Sequence, residues 1–487
     1  MSSSSAKHVA HAVVGSGFGG LGMAIRLKQA GISDFLLFER ASELGGTWRD
    51  NTYPGCACDV ESQLYSYSFA PHPGWSRMFS PQAEIQAYLI DCSKRFDVRS
   101  HIHFNHDVQS IVWDEAKKHW RLTTSKGEYT ATTVTLAMGP LSEPLMPKIR
   151  GLETFKGRVF HSARWDHDYD LSGKRVAVIG TGASAIQFVP EIQPQVARLQ
   201  VFQRTAPWVV PRIDRPFKSA EQRRFARFPW LLRLNRLRIF CFRELMGLTF
   251  RHRSLIKFTR KVAVKHLQRA ISSEAMRKQL TPSYEIGCKR VLISNNYYPA
   301  LIKENVEVVT SGIREIGDDQ IVSADGSVRP VDAIILGTGF RVTDFPHAHM
   351  IVGRGGRTLA EAWRGGPKAF VGTTVAGFPN LFSLLGPNTG LGHSSVVLMI
   401  EAQIEQILRI LSHMRRRGHE TVEVKGEAQD AYNAWIDKKS KSTVWLSGGC
   451  KSWYLDENGH NAGIWPMSVP AFQRRARRFS RHDFVFG

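Results

Sequence analysis

Two segments of this chain, 165 residues apart, carry the same pattern of a short apolar strand, a glycine-rich turn and an amphipathic helix. In the first segment, HAVVGSGFGG, the small turn residues are Gly15, Gly17 and Gly20. In the second, VAVIGTGASA, they are Gly180, Gly182 and Ala185. Glycines let the backbone turn tightly and approach a pyrophosphate, whose charge the helix N-terminus stabilises. Two such units constrain the fold strongly, because each predicts its own nucleotide-binding domain.

The two units differ in the residue that follows their second strand. Glu39 stands at this place in the first unit, and Arg204 followed by Thr205 stands there in the second. A carboxylate accepts hydrogen bonds from ribose hydroxyls, whereas a guanidinium binds a 2′-phosphate. Glu39 therefore suits FAD, and Arg204 with Thr205 suits NADPH. We predict an α/β protein with two Rossmann-like dinucleotide-binding domains, one for FAD and one for NADP.

The domain organisation follows from strand patterns along the 487 residues. Patterns around residues 107–113, 118–124 and 132–138 predict an antiparallel meander that returns to the first sheet. The second unit opens near residue 174, is interrupted by a helical segment and resumes at NVEVV and VDAIILGTGF. We assign residues 1–147 with 371–487 to the FAD-binding domain, 148–211 with 285–370 to the NADP-binding domain, and 212–284 to a basic helical insertion in the latter.

The charge of the chain is +22 and is unevenly distributed. Residues 212–270 hold 17 Lys and Arg against three acidic residues, and their aromatic and aliphatic residues alternate with arginine at helical intervals. We expect amphipathic helices with a solvated basic face. A membrane-surface helix is the main alternative, and nucleic acid is disfavoured because no binding module accompanies the charge. No long uncharged apolar run precedes the first strand, so we predict no signal peptide, no transmembrane segment and a cytoplasmic protein.

The six cysteines show neither a C-x-x-C pair nor zinc-ligand spacing, so we predict no metal site. Cys56 and Cys58 form a C-x-C close to the first glycine turn, which raises the alternative of a flavin disulfide reductase. Redox-active pairs at that place usually have wider spacing and a helical context. We therefore expect buried thiols, or thiols without a role.

Two longer patterns carry a resemblance to a known family. The segment FKGRVFHSARWD, residues 155–166, matches F-x-G-x-x-x-H-x-x-x-W through Phe155, Gly157, His161 and Trp165. The segment GGTWRDNTYPGCACD, residues 45–59, matches G-G-x-W-x-x-x-x-Y-P-G-x-x-x-D. The chain thus resembles the type I Baeyer-Villiger monooxygenases of the class B flavin-containing monooxygenases, over nearly its whole length to the S-W-Y that contains Trp453. Relatives that oxygenate nitrogen or sulfur usually carry Tyr or Phe at the place of Trp165.

The resemblance implies an NADPH- and O2-dependent flavoprotein that inserts one oxygen atom next to a ketone carbonyl, giving an ester or lactone through a C4a-peroxyflavin. The peroxide anion and the tetrahedral oxyanion both need a fixed cation, and a guanidinium stays charged at any working pH. The segment GCKRV matches the lysine-arginine motif of the family. The resemblance therefore assigns this cation to Arg290, the NADPH 2′-phosphate to Lys289, and the orientation of Arg290 to Asp59.

The predicted site thus has Arg290 and Asp59 as catalytic residues. The predicted cofactor-binding residues are Gly15, Gly17, Gly20, Glu39, Thr47, Trp48, Asp59, Tyr65, Val108, Gly180, Thr181, Gly182, Ala183, Ser184, Gln187, Arg204, Thr205 and Lys289. The predicted partners are a small ketone and O2. A flavin monooxygenase that oxygenates nitrogen or sulfur is the first alternative. A basic peripheral membrane- or nucleic-acid-binding protein with a degenerate flavin fold is a lower one, against which the intact glycine turns argue.

Overall fold

The structure, a computed structural model, describes residues 6–342, 345–450, 452, 454–456 and 458–487. Its strands are β1 (Lys7–Val14), β2 (Phe35–Phe38), β3 (Ile102–His103), β4 (Val108–Asp114), β5 (His119–Thr124), β6 (Gly127–Leu136), β7 (Arg158–His161), β8 (Arg175–Ile179), β9 (Arg198–Phe202), β10 (Val209–Val210), β11 (Leu292–Ile293), β12 (Val306–Val309), β13 (Ile313–Ile316), β14 (Gln320–Ser323), β15 (Val328–Pro330), β16 (Ala333–Leu336), β17 (Ile351–Val352), β18 (Leu381–Ser383), β19 (Val422–Val424) and β20 (Phe484–Phe486).

Its α-helices are α1 (Phe18–Gln29), α2 (Thr47–Asp50), α3 (Gln82–Arg95), α4 (Ala185–Ile192), α5 (Ser219–Arg227), α6 (Pro229–Arg251), α7 (Arg253–Ala270), α8 (Glu274–Leu280), α9 (Tyr297–Leu301), α10 (Leu359–Ala362), α11 (Val396–Arg417), α12 (Gly426–Ser440), α13 (Val444–Ser447) and α14 (Val469–Arg477).

The first sheet contains the first glycine turn, between β1 and α1. Its order is β17-β4-β5-β6-β1-β2-β3, with β18 beside β6. Strands β6, β1, β2 and β3 run parallel, and β5 is antiparallel to both β4 and β6. The meander predicted from the sequence is therefore confirmed. Strand β18 pairs with Val134–Leu136 of β6, beyond the part of β6 that β5 occupies.

The second sheet is fully parallel, in the order β12-β9-β8-β16-β7, and its glycine turn lies between β8 and α4. Its strands are almost continuous runs of Val, Ile, Leu and Phe, as expected for a sheet covered on both faces. The predicted resumption of the unit after the helical insertion is confirmed by β12 and β16. A three-stranded antiparallel sheet, β13-β14-β15, separates these two strands in the sequence.

One sequence-derived domain boundary differs from the strand pairing. We placed residues up to 370 in the NADP-binding domain, but β17 pairs with Ile111–Val112 of β4 in the first sheet. The sequence did not reveal this because two consecutive apolar residues carry no alternating pattern that identifies a strand. The chain therefore returns to the first sheet before residue 371.

Helices α5 to α8 form the basic insertion, as expected, but their outer face is not purely basic. Large apolar side chains on α6 and α7 are exposed to solvent, so the expectation of a solvated basic face needs correction. The arginine and lysine residues of these helices predict a solvated basic face. The sequence alone does not reveal which side of each helix lies against the core. Among the described residues, no helix combines the length and apolarity needed to cross a bilayer.

The third glycine of the first turn is required by the close approach of α1 to the turn. A Cβ atom on Gly20 would lie 1.8 Å from the carbonyl oxygen of Gly15. We expect Gly20→Ala to lower the free energy of unfolding by about 1–3 kcal/mol or more, because a backbone oxygen cannot rotate away as a side chain can. Urea unfolding, together with the flavin absorbance retained after purification, measures the effect. Gly426→Ala is the matched control, because a Cβ atom there meets nothing within 4 Å; equal losses in both variants would contradict the prediction.

Candidate active site

Arg290 and Asp59 form a two-point ion pair across 231 residues of sequence. The Arg290 Nε donates to Asp59 Oδ2 at 2.8 Å, and Nη2 donates to Oδ1 at 2.7 Å. Two parallel bonds between planar groups fix the orientation of the guanidinium. Among the described residues, no hydrogen-bond partner is recorded for Nη1, and the Arg290 side chain keeps 33% of its surface exposed. One edge of a rigidly held cation thus remains available to an anion.

The environment keeps both members of this pair charged. Burial by itself would raise the pKa of Asp59, but attraction to Arg290 and Arg243 outweighs it and the pKa lies below its ordinary value. Attraction to the Asp59 carboxylate raises the pKa of Arg290, against the opposing effect of burial. Arg243 of α6, in the helical insertion, holds the main chain around Asp59. Its Nη2 donates to Asp59 O at 3.2 Å, and its Nε donates to Glu61 at 2.7 Å.

The segment that ends at Asp59 begins against the first glycine turn. The Gly45 N–H donates to Ser16 O at 3.1 Å, and a Cβ atom on Gly46 would lie 3.1 Å from the Gly17 Cα. This approach brings Thr47 and Trp48, at the start of α2, beside the N-terminus of α1. Trp48 Nε1 donates to the Tyr65 hydroxyl at 3.2 Å, and the two rings meet edge to face at 5.5 Å. The structure thus places Thr47, Trp48 and Tyr65, which are predicted to bind FAD, near the first glycine turn.

Glu39 lies at the end of β2 and faces the same turn, but protein groups occupy its oxygens. Ala41 N donates to Oε1 at 2.9 Å, and Arg49 pairs with Oε1 at 2.8 Å. Ser16 donates to Oε2 through both its backbone N–H and its hydroxyl. The contact of Glu39 with a ribose therefore stays a prediction. Val108 is buried at the start of β4, two residues after His106, whose N–H donates to Glu39 O at 2.9 Å.

The second glycine turn is open to solvent at the N-terminus of α4. Gly182 and Ala183 are exposed, and a Cβ atom on Gly182 would meet nothing within 4 Å. Among the described residues, no side chain caps α4, and the first turn of this helix carries no acidic residue. Both statements hold for α1 as well. The unpaired N–H groups of such helix ends favour an anion. Thr181 and Ser184 belong to this same turn, and Thr181 Oγ1 donates to Thr205 O at 3.3 Å.

Arg204 and Lys289 approach each other although they are far apart in sequence. Burial lowers the pKa of Lys289, and the charge of Arg204 lowers it further. Lys289 Nζ also lies 4.9 Å from the centre of the Tyr284 ring. In the part of the chain that the structure describes, no ion pair with a carboxylate is recorded for either cation. Two cations whose charges interact are suited to a doubly charged phosphate.

Gln187 links the two nucleotide units through its side chain, and its contact with a cofactor stays a prediction. Its side chain accepts a hydrogen bond from the Tyr53 hydroxyl at 2.9 Å and donates to Ala57 O at 3.0 Å. Gln187 thereby links α4 of the second nucleotide unit to the segment that ends at Asp59. Sequence reasoning missed this interdomain contact, since position after a glycine turn does not distinguish a ligand-facing residue from an interface residue.

The residues of the F-x-G-x-x-x-H-x-x-x-W pattern serve as packing and linking groups. His161 ends β7 and its ring lies 6.0 Å from that of Phe340. Burial lowers the pKa of His161 to about 4, so the ring is neutral at ordinary pH. Trp165 packs edge to face on Phe160 at 5.1 Å. Trp453, noted above as part of the family pattern, lies outside the described residues.

A disulfide beside the Arg290–Asp59 pair was not foreseen. Cys288, two residues before Arg290, is bonded to Cys450 across 162 residues of sequence. No spacing rule connects cysteines so far apart, which explains the omission. Cys56 and Cys58 are buried and not bonded to each other. Burial raises the pKa of the Cys56 thiol to about 12, so a reactive thiolate is disfavoured there.

Comparison with known proteins agrees with this geometry. Residues 6–352 match the flavin-binding monooxygenase-like family. A Baeyer-Villiger monooxygenase of Streptomyces coelicolor is 50% identical over 98% of this chain and 92% of its own length. One of Pseudomonas aeruginosa is 49% identical over 97% of this chain and 90% of its own length.

Solved structures give the same assignment. A cyclohexanone monooxygenase of Rhodococcus bound to NADP+ superposes with a TM-score of 0.89 at 28% identity, covering 99% of both chains. An oxidized steroid monooxygenase bound to NADP superposes with a TM-score of 0.87 at 30% identity, again covering 99% of both chains. The chain therefore belongs to the flavin-binding monooxygenase-like family, as a Baeyer-Villiger monooxygenase that uses FAD and NADPH.

Proposed function

We propose that this enzyme inserts one atom of O2 between the carbonyl carbon of a ketone and a neighbouring carbon, giving an ester or a lactone. The observation that carries the proposal is the Arg290–Asp59 pair, a guanidinium fixed at two points with one edge left for an anion. With NADPH as the reductant, we propose the cytoplasm as the compartment.

The chain's own residues fit both cofactors. The uncapped N-termini of α1 and α4 would receive the two pyrophosphates, with Trp48 and Tyr65 on the flavin side and Arg204 and Lys289 on the 2′-phosphate. When bound, FAD takes a hydride from NADPH and activates O2. We assign the first sheet to the FAD-binding domain and the second to the NADP-binding domain, and Gln187 holds the two together.

Arg290 would act on the substrate through electrostatics. As oxygen is inserted, negative charge develops on the former carbonyl oxygen, and a donor already in place stabilises it without reorganisation. Asp59 is a positioning residue that acts through Arg290: its depressed pKa keeps it ionised, and its two oxygens orient the fork. His161, neutral and buried, would not transfer protons.

The test is product analysis with the purified holoenzyme. Linear, cyclic and aryl ketones and an aryl methyl sulfide are each incubated with NADPH and air, and ester, sulfoxide and consumed NADPH are quantified. We expect ester from at least one ketone class in near-stoichiometric yield per NADPH. Sulfoxide formation with no ester from any ketone would instead support the alternative of a heteroatom-oxygenating enzyme.

Replacement of Asp59 by asparagine tests the positioning role. Asp59→Asn keeps the size of the side chain but removes the charge and one of the two acceptors, which is worth about 1.5–3 kcal/mol when the partner is charged. We expect the ester yield per NADPH to fall about ten- to a hundredfold, with hydrogen peroxide replacing the ester. Asp332→Asn is the matched control, since Asp332 forms a two-point pair with Arg175 and makes no contact with Arg290 or Asp59 among the described residues. If Asp59→Asn kept the wild-type ester-to-peroxide ratio, the pair would have no role in oxygenation.

A further inference from the structure

Helix α6 carries an apolar stripe on its outer side. Its exposed large apolar residues are Trp230, Leu234, Leu237, Phe242 and Leu245, with Trp230 61% and Leu245 62% exposed. Residues 230, 234, 237 and 245 follow helical spacing and therefore lie on one face of the helix. Side chains of this size rarely stay in water along a whole face without a binding role.

Helix α7 repeats the same arrangement. Leu255, Phe258 and Val262 are exposed at i, i+3 and i+7, so they form a second stripe, and Phe258 is 68% exposed. Helices α6 and α7 pack against each other. The insertion thus displays two apolar stripes from adjoining helices. We call these seven residues the outer stripes: Trp230, Leu234, Leu237 and Leu245 on α6, and Leu255, Phe258 and Val262 on α7.

Cationic side chains flank both stripes. Arg233 and Arg238 are exposed on α6, and Lys257, Lys261 and Lys265 are exposed on α7. On a helical projection, Arg233 and Arg238 fall on opposite sides of the α6 stripe. Residues 212–270 carry only three acidic residues, Asp214, Glu221 and Glu244. Of these, Glu221 pairs with Arg215, Asp214 with Arg77, and Glu244 with His393, so none neutralises the exposed cations.

The opposite side of α6 is fixed to the flavin-side domain. Arg236 Nη1 donates to Gln63 O at 2.6 Å and to Ser66 Oγ at 3.2 Å. Arg243 binds Glu61 and the main chain of Asp59, as described above. These buried contacts hold the helix in one orientation, so the outer stripes cannot turn inward and bury themselves.

We propose that the outer stripes of α6 and α7 dock this enzyme on an anionic lipid bilayer. Apolar and aromatic side chains would enter the boundary between headgroups and acyl chains, while the flanking Arg and Lys would bind lipid phosphates. The strong positive charge selects a surface with anionic lipids over a neutral one. Because the chain's described helices cannot span a bilayer, the attachment is peripheral and reversible.

Vesicle flotation with the full-length holoenzyme tests this surface. Vesicles of phosphatidylcholine alone are compared with vesicles that also contain phosphatidylglycerol, at low and at physiological salt. We expect binding only to the anionic vesicles, and we expect it to persist at physiological salt, where screening acts over about 8 Å but apolar insertion is unaffected. No ketone and no turnover are involved, so the result is independent of the proposed reaction.

Substitutions separate insertion from charge. The double variant Trp230→Gln with Phe258→Gln should weaken binding by at least about tenfold, since two buried aromatic side chains contribute more than that. Arg233→Gln and Lys261→Gln should each weaken it about fivefold. The controls are Val328→Gln, an exposed apolar residue in β15, and Lys126→Gln, an exposed lysine between β5 and β6; both should bind as wild type does.

Flavin absorbance of each variant establishes that it has folded. The proposal fails if wild-type enzyme does not float with anionic vesicles at physiological salt, or if the Trp230 and Phe258 substitutions change nothing. It also fails if sedimentation shows a wild-type dimer that becomes a monomer in the double variant, because a second copy of the chain would then cover the outer stripes.

Discussion

Replacement of Arg290 by alanine is expected to abolish ester formation while the enzyme continues to oxidise NADPH, with the electrons appearing as hydrogen peroxide. The guanidinium is the cation that Asp59 holds at two points. Removing one preorganised donor of this kind costs about a hundredfold to a thousandfold in rate. Arg290→Lys should lose about a hundredfold as well, because an ammonium group cannot form the two-point fork with Asp59.

The measurement is the ratio of ester to peroxide per NADPH oxidised, in wild type and in both variants. Arg314→Ala serves as the control, since this exposed arginine on β13 pairs with its neighbour Glu315 and lies in the separate three-stranded sheet. Comparable ester yields from wild type and Arg290→Ala would mean that the catalytic cation lies elsewhere and that the family motif has been misassigned at this position.

Arg204→Ala is expected to raise the Michaelis constant for NADPH about tenfold to a hundredfold and to leave that for NADH nearly unchanged. The loss corresponds to one charge-assisted phosphate contact, on the order of 1.5–3 kcal/mol. Lys289 would remain at the site and retain part of the discrimination. Its pKa should rise, because Arg204 contributes to lowering it.

Initial rates with each coenzyme at saturating ketone measure this effect. Arg198→Ala is the matched control, as Arg198 begins the same strand, β9, but pairs with Glu307. An Arg204→Ala enzyme with an unchanged Michaelis constant for NADPH would refute the assignment of the 2′-phosphate.

Local patterns were enough to predict the two nucleotide units, because a glycine turn between a strand and a helix is specified within about ten residues. Recognition of Arg290 and Asp59 needed more, since the short motifs that contain them indicate a function only through the family they resemble. The resemblance supplied both residues and implied that Asp59 orients Arg290, and the structure has the two side chains joined by two hydrogen bonds.

The features that sequence reasoning missed all depend on distant contacts. The Cys288–Cys450 bond joins residues 162 positions apart. The bond between Gln187 and Tyr53 depends on how the two domains meet, which no local pattern specifies. The outer stripes were expected to be solvated basic faces. The contacts of Arg236 and Arg243 decide which side of α6 lies against the flavin-side domain, and the sequence alone does not reveal these contacts.

The interleaving of the two domains sets an order in which they can be completed during synthesis. All strands of the second sheet lie within residues 158–336, whereas the first sheet needs β18 and the helix packed on α1, α11, from the last third of the chain. Ile404 of α11 contacts α1 so closely that a Cβ atom on Gly22 would lie 3.2 Å from it. Domains fold on the ribosome as their sequence emerges. The domain of the first sheet, which is synthesised first, is therefore completed last. A chain cut before residue 381 would keep every glycine of both turns, but β6 would lack β18 along Val134–Leu136 and α1 would lack the helix α11 that packs on it.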